Sequence, residues 1–567
     1  MRAALRTRSL RDAGRRAFTA SSIAPARVLC LDNIDKVAVD IFKQEGHQTD
    51  VMSGLSEGEL CKIIHDYDGM VLRSATKVTP ELLKYASHLQ VVGRAGVGID
   101  NINVPACTKA GVMVMNTPEG NTVSTAQLAI TLLCVAARRI AEADIGMKSG
   151  QWLRKECQGV ELQGKTLAIV GCGRIGQVVA KWAQGFNMKI IGFDPAMSKA
   201  TAEDLGITLM ELPELWAQAD FITLHTPLTP ETKHLINDDT IGQMKDGVIL
   251  VNAARGGVIE EAALLRGLNS GKVYSAAIDV YSSEPPPPEL AELIAHPRLV
   301  CTPHLGASTE EAQVNVARDV AKQMCNTLAG KDYVGVVNVG YMAMANSPAM
   351  KPYLELAELL GKIISQNSHS EEDPIKRVQL RTFGGTSVSI EKTSARQLLQ
   401  AQMLKGMMKT IPGVSAEPSL INAPFLADEC GMTVDVDQKV HSGLKQSDFS
   451  NLISVKVTLE SGQQHKISGS VFGVEPNVVQ IDDYISFPAF KPEGHLLSFR
   501  NEDKPGAVNG VLSILASAGI NVGKLNVGRQ EGGLALCLMD LDNKLSKKAK
   551  AAIQDLPSLR DVRFAHL

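Results

Sequence analysis

The sequence of 567 residues lacks the features of several specialised protein classes. It has no apolar run of about 18 residues, so no segment is long enough to predict a transmembrane helix. Its ten cysteines form no CxxC pair and no cluster with histidine, which argues against a disulfide framework and against a metal site. Aromatic residues make up only 4%, whereas 48 glycines and 44% hydrophobic residues are typical of α/β proteins with many tight turns. At about 150 residues per domain, the length predicts three to five domains.

A net positive charge is also missing, since the formal charge is −3. Residues 1–27 carry seven arginines and one acidic residue, so the remainder has 51 basic and 60 acidic residues, a net charge of −9. The acidic body of the chain gives no reason to expect a nucleic-acid partner.

The first 27 residues are rich in arginine, contain serine and have almost no acid, a composition typical of a mitochondrial presequence. A disordered cytosolic extension fits the same composition. The predicted compartment is therefore the cytoplasm or the mitochondrial matrix, and the leader is excluded from the reasoning about the fold.

From residue 28, short apolar runs alternate with longer helical stretches, which predicts a parallel sheet. One long amphipathic helix is predicted over 122–152 and another over 308–329. The composition changes at 339–352 and again at 486–495, and both stretches are interpreted as linkers.

The strongest local motif is "LAIVGCGRIGQVVA", which places GxGxxG between an apolar strand and an amphipathic helix. Gly171 is predicted to form the tight turn, Gly173 to let a pyrophosphate approach the backbone, and Gly176 to pack the helix closely on the strand. The N–H groups near Arg174 and Ile175 would then bind the pyrophosphate. A glycine-rich turn that only packs the helix on the sheet is the alternative.

Asp194 lies 18 residues beyond the last motif glycine, at the end of the next predicted strand. Its carboxylate could accept both ribose hydroxyl groups and would repel a 2′-phosphate, which favours NAD over NADP.

Three further stretches end successive predicted strands, where open α/β sheets place their chemistry. They contain Arg255 in "NAARGG", Asp279 and Glu284 in "AAIDVYSSEP", and His304 in "CTPHLGA". In one crevice, Arg255 would bind a carboxylate and polarise a carbonyl, His304 would carry the hydroxyl proton, and Glu284 would hold the imidazole. Taken singly, each could be a surface charge or a cap.

The order GxGxxG, a later Asp, "ARGG", "DVxxxEP" and "PHLGAST" resembles the D-isomer-specific 2-hydroxyacid dehydrogenases, and the similarity runs from about residue 28 to 340. The resemblance implies that Arg255, Glu284 and His304 are catalytic. It also implies an NAD site formed by the motif glycines and by Arg174, Ile175, Asp194, Thr226, Ala253, Asp279 and Gly306.

The family's fold is a Rossmann-type doubly wound parallel sheet inserted in a flavodoxin-like substrate domain. The resemblance therefore implies a substrate domain made of two pieces around a nucleotide domain, with an α/β regulatory domain and a ferredoxin-like ACT domain following in the long form. The expected domains are a leader at 1–27, a substrate-binding domain at 28–125 and 305–335, an NAD-binding domain at 126–304, an intervening regulatory domain at 340–488 and an ACT domain at 496–567.

"RAGVG" resembles the family's loop for the substrate carboxylate, which implies binding roles for Gly96, Val97 and Gly98. Arg73 and Arg94 resemble contacts to a substrate phosphate, whose two negative charges they would match. Val97 replaces a Thr of some members, and Gln127 replaces a Glu of many relatives. These departures leave the mechanism intact but put the binding of the nicotinamide amide in question.

In the ACT-like tail, Asn501, Asp503 and Asn521 occupy the places where such domains hold an amino acid between two copies. L-serine fits this set of hydrogen-bonding groups, with Asp503 accepting from the ammonium. A plain oligomerisation module, in a homo-tetramer or homo-dimer, is the alternative function of the tail.

The resemblance implies NAD-dependent oxidation of 3-phospho-D-glycerate to 3-phosphohydroxypyruvate, the first step of L-serine biosynthesis. A dehydrogenase for an unphosphorylated acid such as glycerate is the second hypothesis, against which the two arginines and the tail argue. A nucleotide-sensing corepressor is a third, and it would predict a short disordered C-terminus rather than a compact α/β module.

Overall fold

A computed structural model of the chain describes residues 25–385, 389–437, 449–484, 489–529 and 533–567. The presequence prediction depends on residues 1–24, which lie outside the described residues, and part of the predicted linker 486–495 does so too. Within the described ranges, no helix is both long enough and apolar enough to cross a membrane.

The first sheet is parallel and has the strand order β2-β1-β3-β4-β5, which is that of flavodoxin-like folds. Strands β3 and β4 are buried and, apart from Arg94 at the end of β4, apolar, as expected for a sheet covered by helices on both faces. Its strands are β1 (Arg27–Cys30), β2 (Gln48–Val51), β3 (Gly69–Leu72), β4 (Val91–Arg94) and β5 (Met113–Asn116). Its helices are α1 (Lys36–Gln44), α2 (Glu57–Ile63), α3 (Pro80–Tyr85) and α4 (Val104–Lys109).

The second sheet has seven parallel strands in the order β12-β11-β10-β9-β6-β7-β8, which reverses at its first strand as in Rossmann folds. Its strands are β6 (Thr166–Val170), β7 (Lys189–Phe193), β8 (Thr208–Leu209), β9 (Phe221–Leu224), β10 (Val248–Asn252), β11 (Val273–Ile278) and β12 (Leu299–Cys301). The helices from this part of the chain are α5 (Thr122–Arg138), α6 (Ile140–Lys148), α7 (Arg174–Gln184), α8 (Lys199–Asp204), α9 (Leu212–Gln218), α10 (Asp238–Gln243), α11 (Glu261–Ser270) and α12 (Ala291–Ile294).

The single helix predicted over 122–152 is wrong, because the chain forms two helices, α5 and α6, separated at Arg139. Arg139 has a φ of 50°, in the left-handed region. Its Nε donates to Glu142 at 2.9 Å, and the N–H of Val160 donates to the carbonyl of Ala137 at 2.9 Å. The segment around Val160 thereby occupies the Ala137 carbonyl, which a continuous helix would use for its own hydrogen bond.

Helix α13 (Glu310–Leu328) confirms the helix predicted over 308–329 and returns the chain to the first sheet. Val316, Ala317, Val320 and Met324 are buried in the same core as strands β1 and β4. Gly93 allows this contact, since a Cβ on that residue would collide with the Met324 and Val320 side chains.

The third sheet has the order β14-β13-β15-β16-β17 and forms its own core with α14 and α15. Its strands are β13 (Ile375–Gly384), β14 (Thr433–Asp437), β15 (Asn451–Leu459), β16 (Gln464–Phe472) and β17 (Glu475–Ile481). Its helices are α14 (Lys351–Ser368), α15 (Thr393–Met408) and α16 (Ala423–Glu429). The stretch 339–352, predicted as a linker, is packed rather than free, because Met342 is buried in the core of the first sheet and Met350 in the core of the third sheet.

The fourth sheet is antiparallel with the order β19-β20-β18-β21, a ferredoxin-like βαββαβ arrangement. Its elements are β18 (His495–Glu502), α17 (Asn509–Ser517), β19 (Val522–Gly528), β20 (Leu534–Leu541), α18 (Lys547–Gln554) and β21 (Leu559–His566). Phe499 and Met539 face its two helices, whereas Leu536 and Leu538 belong to the core of the third sheet. The two C-terminal units therefore share a buried apolar interface.

Candidate active site

The carboxyl ends of the parallel strands in the second sheet carry most of the predicted site residues. The turn of the GxGxxG motif follows β6, Asp194 follows β7, Thr226 comes after β9, Arg255 comes after β10, and His304 comes after β12. The topology thus places these residues along one edge, as open α/β sheets do with their ligand sites.

The motif glycines form the tight turn between β6 and α7. Gly171 has a φ of 93°, and a Cβ there would lie 2.6 Å from the carbonyl oxygen of His225. A Cβ on Gly176 would collide with the carbonyl oxygen of Gly171, so only glycine fits there. Helix α7 begins at Arg174 directly after Gly173, so the backbone N–H groups of its first turn, including that of Ile175, point out of the helix end. The turn can receive a pyrophosphate.

Asp194 stands beside this turn, where its Oδ2 accepts from the N–H of Cys172 at 2.9 Å and its Oδ1 from that of Ala196 at 2.8 Å. The carboxylate is thereby fixed at the end of β7.

Two buried polar groups lie at the same edge, and neither the Oγ1 of Thr226 nor the Nδ1 of His225 has a hydrogen-bond partner among the described residues. Burial lowers the pKa of His225 to about 4, which keeps its imidazole neutral. Ala253 is buried nearby at the end of β10. A glycine turn, a fixed carboxylate and unpartnered polar atoms fit a dinucleotide.

His304 and Glu284 form the closest polar pair of the site. Nδ1 of His304 lies 2.6 Å from Oε2 of Glu284, and the other Glu284 oxygen accepts from the N–H of Tyr281 at 3.2 Å. Both side chains remain partly exposed, at 43% and 37%. Because Nδ1 faces the carboxylate, Nε2 of the imidazole is the nitrogen available to a substrate.

Asp279 shapes the loop that carries His304. Its carboxylate is wholly buried and accepts from Thr302 Oγ1 at 2.6 Å and from the N–H groups of Leu305 and Gly306 at 2.7 and 3.0 Å. Burial raises the pKa of Asp279, and these hydrogen bonds oppose the rise. His304 has a φ of 56° and donates its N–H to the Asp279 carbonyl at 2.9 Å, so this buried residue holds an unusual backbone conformation.

Arg73, Arg94 and Arg255 form a cluster of positive charge, although they come from three separate segments. Burial and then the charge of Arg255 lower the pKa of Arg94 to about 10, with a smaller contribution from Arg73, whereas Asp100 and Asp32 oppose the shift. Nε of Arg255 lies 3.2 Å from Oδ2 of Asp100. Such a cluster can bind a polyanionic ligand.

Gly96 and Gly98 make room for two of these guanidinium groups. A Cβ on Gly96 would collide with the Arg94 side chain, and one on Gly98 would collide with Arg255. Val97 contributes its carbonyl, which accepts from Asn116 Nδ2 at 2.6 Å.

The loop of Arg73 is held by two residues that the sequence analysis did not single out. Asp32 accepts from the N–H groups of Arg73 and Thr76 at 2.8 and 3.0 Å. Asn101 donates from Nδ2 to the carbonyls of the same two residues at 2.7 and 2.6 Å. For Asn101 the stretch "GIDNIN" carried the signal, since three polar side chains follow a glycine loop there.

The residues predicted to hold an effector are engaged within the fourth sheet and its loops. Asn501 is buried, and its Oδ1 accepts from the Cys537 thiol at 3.2 Å. Asp503 pairs with Arg529 at 3.2 Å, and Asn521 donates to Asp542 at 3.0 Å. Among the described residues, no group of histidine, cysteine and acidic side chains could hold a metal ion.

Three family models match consecutive parts of the chain. They are the NAD binding domain of D-isomer specific 2-hydroxyacid dehydrogenases at 130–306, the D-3-phosphoglycerate dehydrogenase intervening domain at 349–482 and the ACT domain at 495–558. The D-3-phosphoglycerate dehydrogenase of Methanocaldococcus jannaschii is 38% identical over 95% of this chain and 100% of its own length. The chain belongs to the D-3-phosphoglycerate dehydrogenase family. It is an NAD-dependent oxidoreductase, and the predicted fold class is confirmed.

A second relative supports this membership, and a solved structure supports the fold of part of the chain. The D-3-phosphoglycerate dehydrogenase of Homo sapiens is 38% identical over 88% of this chain and 91% of its own length. The crystal structure of TT0316 protein from Thermus thermophilus matches with a TM-score of 0.51 and 33% identity, over 55% of this chain and 99% of that one.

Proposed function

We propose that this protein oxidises 3-phospho-D-glycerate to 3-phosphohydroxypyruvate with NAD, as the first step of L-serine biosynthesis. The observation that carries the proposal is the cluster of Arg73, Arg94 and Arg255, whose charge matches a substrate with a phosphate and a carboxylate. The printed names of the relatives support the same substrate.

In the proposed reaction, Arg255 binds the substrate carboxylate and polarises the developing carbonyl. His304 accepts the proton of the 2-hydroxyl group at Nε2 while Glu284, bound to Nδ1, stabilises the imidazolium. NAD, held at the glycine turn and beside Asp194, would supply the acceptor for the hydride on the same carbon. The alcohol would thereby become a ketone, with the proton on His304 and the hydride on the cofactor.

The phosphate distinguishes this substrate from glycerate, the alternative. Arg73 and Arg94 come from strand ends of the first sheet, apart from Arg255 on the second, so the cluster can engage two anionic groups of one substrate. The test is NADH formation with a panel of 2-hydroxy acids. The proposal requires 3-phosphoglycerate to have the highest kcat/KM, and a higher value for glycerate would overturn it.

We further propose the domain division 28–125 with 305–335 for substrate, 126–304 for NAD, 340–488 for the intervening domain and 496–567 for the ACT domain. The return of α13 to the core of the first sheet supports the split substrate domain. Limited proteolysis with mass spectrometry tests it, since cleavage should concentrate at the boundaries.

A homo-dimer or homo-tetramer is proposed from the apolar side chains that α6 and the following loop leave exposed. Ile145 is 68% exposed and Trp152 is 75% exposed, with Ile140 and Met147 beside them in the chain. A second copy of the chain would cover such a surface. Light scattering of the wild-type protein and of Trp152→Glu tests the assignment, and identical masses would contradict it.

L-serine is proposed as an effector of the ACT domain, through Asn501, Asp503 and Asn521. The ion pair of Asp503 with Arg529 and the bond of Asn521 to Asp542 would have to open or rearrange for binding. Titration of L-serine into the full chain, followed by activity and calorimetry, decides between an effector site and an assembly module. The compartment, cytoplasm or mitochondrial matrix, is a separate proposal that an import assay on the Arg-rich leader tests.

A further inference from the structure

An ion pair between Asp100 and Arg255 joins the first and second sheets at the substrate site. Asp100 belongs to the loop after β4, whereas Arg255 follows β10. Oδ2 of Asp100 lies 3.2 Å from Nε of Arg255, and Nη1 of the same arginine donates to the carbonyl of Ala254 at 2.6 Å. The guanidinium that would receive a substrate carboxylate is already bound to a carboxylate of the protein.

The loop holds Asp100 in this position through its neighbours. Asn101 is fixed by its bonds to the Arg73 loop, and its carbonyl accepts from the N–H of Val78 at 2.8 Å. Ile102 is buried, and its N–H donates to the carbonyl of Ile99 at 2.9 Å. Asp100 is therefore anchored on both sides while its own side chain stays 69% exposed.

Of the two acidic residues at the arginine cluster, Asp100 is the one that pairs with an arginine side chain. Asp32, the other acid of the cluster, directs its oxygens at the backbone N–H groups of Arg73 and Thr76 and at the Thr76 hydroxyl group. Asp100 is the acid that forms an ion pair with a cluster arginine among the described residues. It thus neutralises part of the positive charge of the cluster.

We propose that Asp100 is a positioning residue that occupies Arg255 in the free enzyme and is displaced by the substrate carboxylate. The proposal deepens the proposed function, because it takes Arg255 as the carboxylate site. A ligand with a single carboxylate has to displace Asp100 from Arg255 without any other anchor. In a ligand that also carries a phosphate, Arg73 and Arg94 bind the phosphate and hold the ligand carboxylate next to Arg255. Asp100 would thereby favour doubly anionic substrates at the expense of simple 2-hydroxy acids.

The test is Asp100→Asn, which keeps the shape of the side chain and removes its charge. In the NADH-loaded enzyme, the dissociation constants of D-glycerate and of 3-phosphoglycerate should fall by about two- to fivefold, the range expected for loss of an exposed competing ion pair. The fall should be at least as large for D-glycerate. In turnover, KM should fall while kcat changes less, a split that a merely structural loss would not produce.

Two variants serve as controls. Asp100→Glu retains the charge and should keep wild-type dissociation constants, and Asp238→Asn breaks a surface ion pair with Arg266 elsewhere in the second sheet domain and should leave them unchanged. Dissociation constants that stay equal or rise in Asp100→Asn, in a protein that melts like wild type, would overturn the proposal. Failure of the wild type to oxidise 3-phosphoglycerate would contradict the proposed function instead, because anion binding is measured without turnover.

Discussion

Nδ1 of His304 lies 2.6 Å from Oε2 of Glu284, although the two residues are 20 positions apart in the chain. The loop between them includes β12, and the buried Asp279 holds the far end of that loop in place. Histidine oriented by a carboxylate is the arrangement that general acid–base catalysis requires.

His304→Ala should lower kcat by about 10²- to 10⁴-fold, since positioned acid–base catalysis contributes that much to rate. Binding of NADH, measured by fluorescence titration, should stay close to wild type because the nucleotide turn is untouched. His65→Ala, at an exposed histidine of the first sheet domain, is the matched control. A variant that retains more than about a tenth of wild-type kcat would remove His304 from the mechanism.

Glu284→Gln should lower kcat by about 10- to 100-fold, because a hydrogen bond to a charged group is worth about 1.5–3 kcal/mol. Glu261→Gln is the control, since Glu261 also binds this loop, through the N–H of Ser282, without touching His304. Equal losses in the two variants, measured by steady-state kinetics, would show that Glu284 only shapes the loop.

Asp194→Ala should weaken NAD binding by about tenfold, which corresponds to about 1.4 kcal/mol, and should narrow the preference over NADP. The reason is the loss of a carboxylate that accepts from ribose hydroxyls and repels a 2′-phosphate. Asp204→Ala, an exposed acid on the next helix, controls for net charge. Cofactor titrations check the result, and a wild-type preference for NADP would refute the assignment.

Arg73→Ala should raise KM for 3-phosphoglycerate far more than for glycerate, because only the former loses a charge-assisted bond. Arg73→Lys keeps a positive charge but loses the planar guanidinium, so its KM for 3-phosphoglycerate should lie between those of wild type and Arg73→Ala. Kinetics with both acids separate the possibilities, and equal increases in KM would assign Arg73 to structure.

The sequence was sufficient to predict the two parallel sheets, because buried strands and glycine turns can be recognised in short segments of sequence. The break at Arg139 was not predictable, since no glycine or proline marks it and the hydrogen bond beside it, from Val160 to Ala137, comes from a later part of the chain. The corepressor alternative required a disordered C-terminus, whereas β18 to β21 form a packed sheet.

Some residues of the candidate site could be predicted from the sequence, and others could not. Arg255, Glu284 and His304 could be predicted as site residues because each lies in a stretch that follows a strand, and the carboxyl ends of parallel strands share an edge. The ion pair of Asp100 with Arg255 could not be predicted, because it depends on the approach of two separate sheets. Asp279, predicted to bind the cofactor, is wholly buried, and its carboxylate holds the loop of His304. The sequence alone does not show whether this carboxylate is buried or exposed.

Asp540, on β20, gives a prediction about stability and pH. Burial raises the pKa of its carboxyl group to about 6, and the charge of Lys524 offsets this only in part. Between the ordinary pKa of about 3.9 and about 6, the folded protein keeps a proton that the unfolded chain releases, so stability falls as the pH rises through this window. Above it, the folded protein carries the full cost of a buried charge.

Asp540→Asn removes that cost and should stabilise the ACT domain at pH 7.5 by about 1–3 kcal/mol, since each unit of pKa shift corresponds to about 1.4 kcal/mol. The gain should shrink as the pH falls toward 4, where the wild-type carboxyl group is neutral as well. Asp542→Asn, which removes an exposed acid just beyond the same strand, is the matched control. Calorimetric melting of the full chain at the two pH values checks this, and an equal effect of Asp540→Asn at both would show that the buried charge is not its cause.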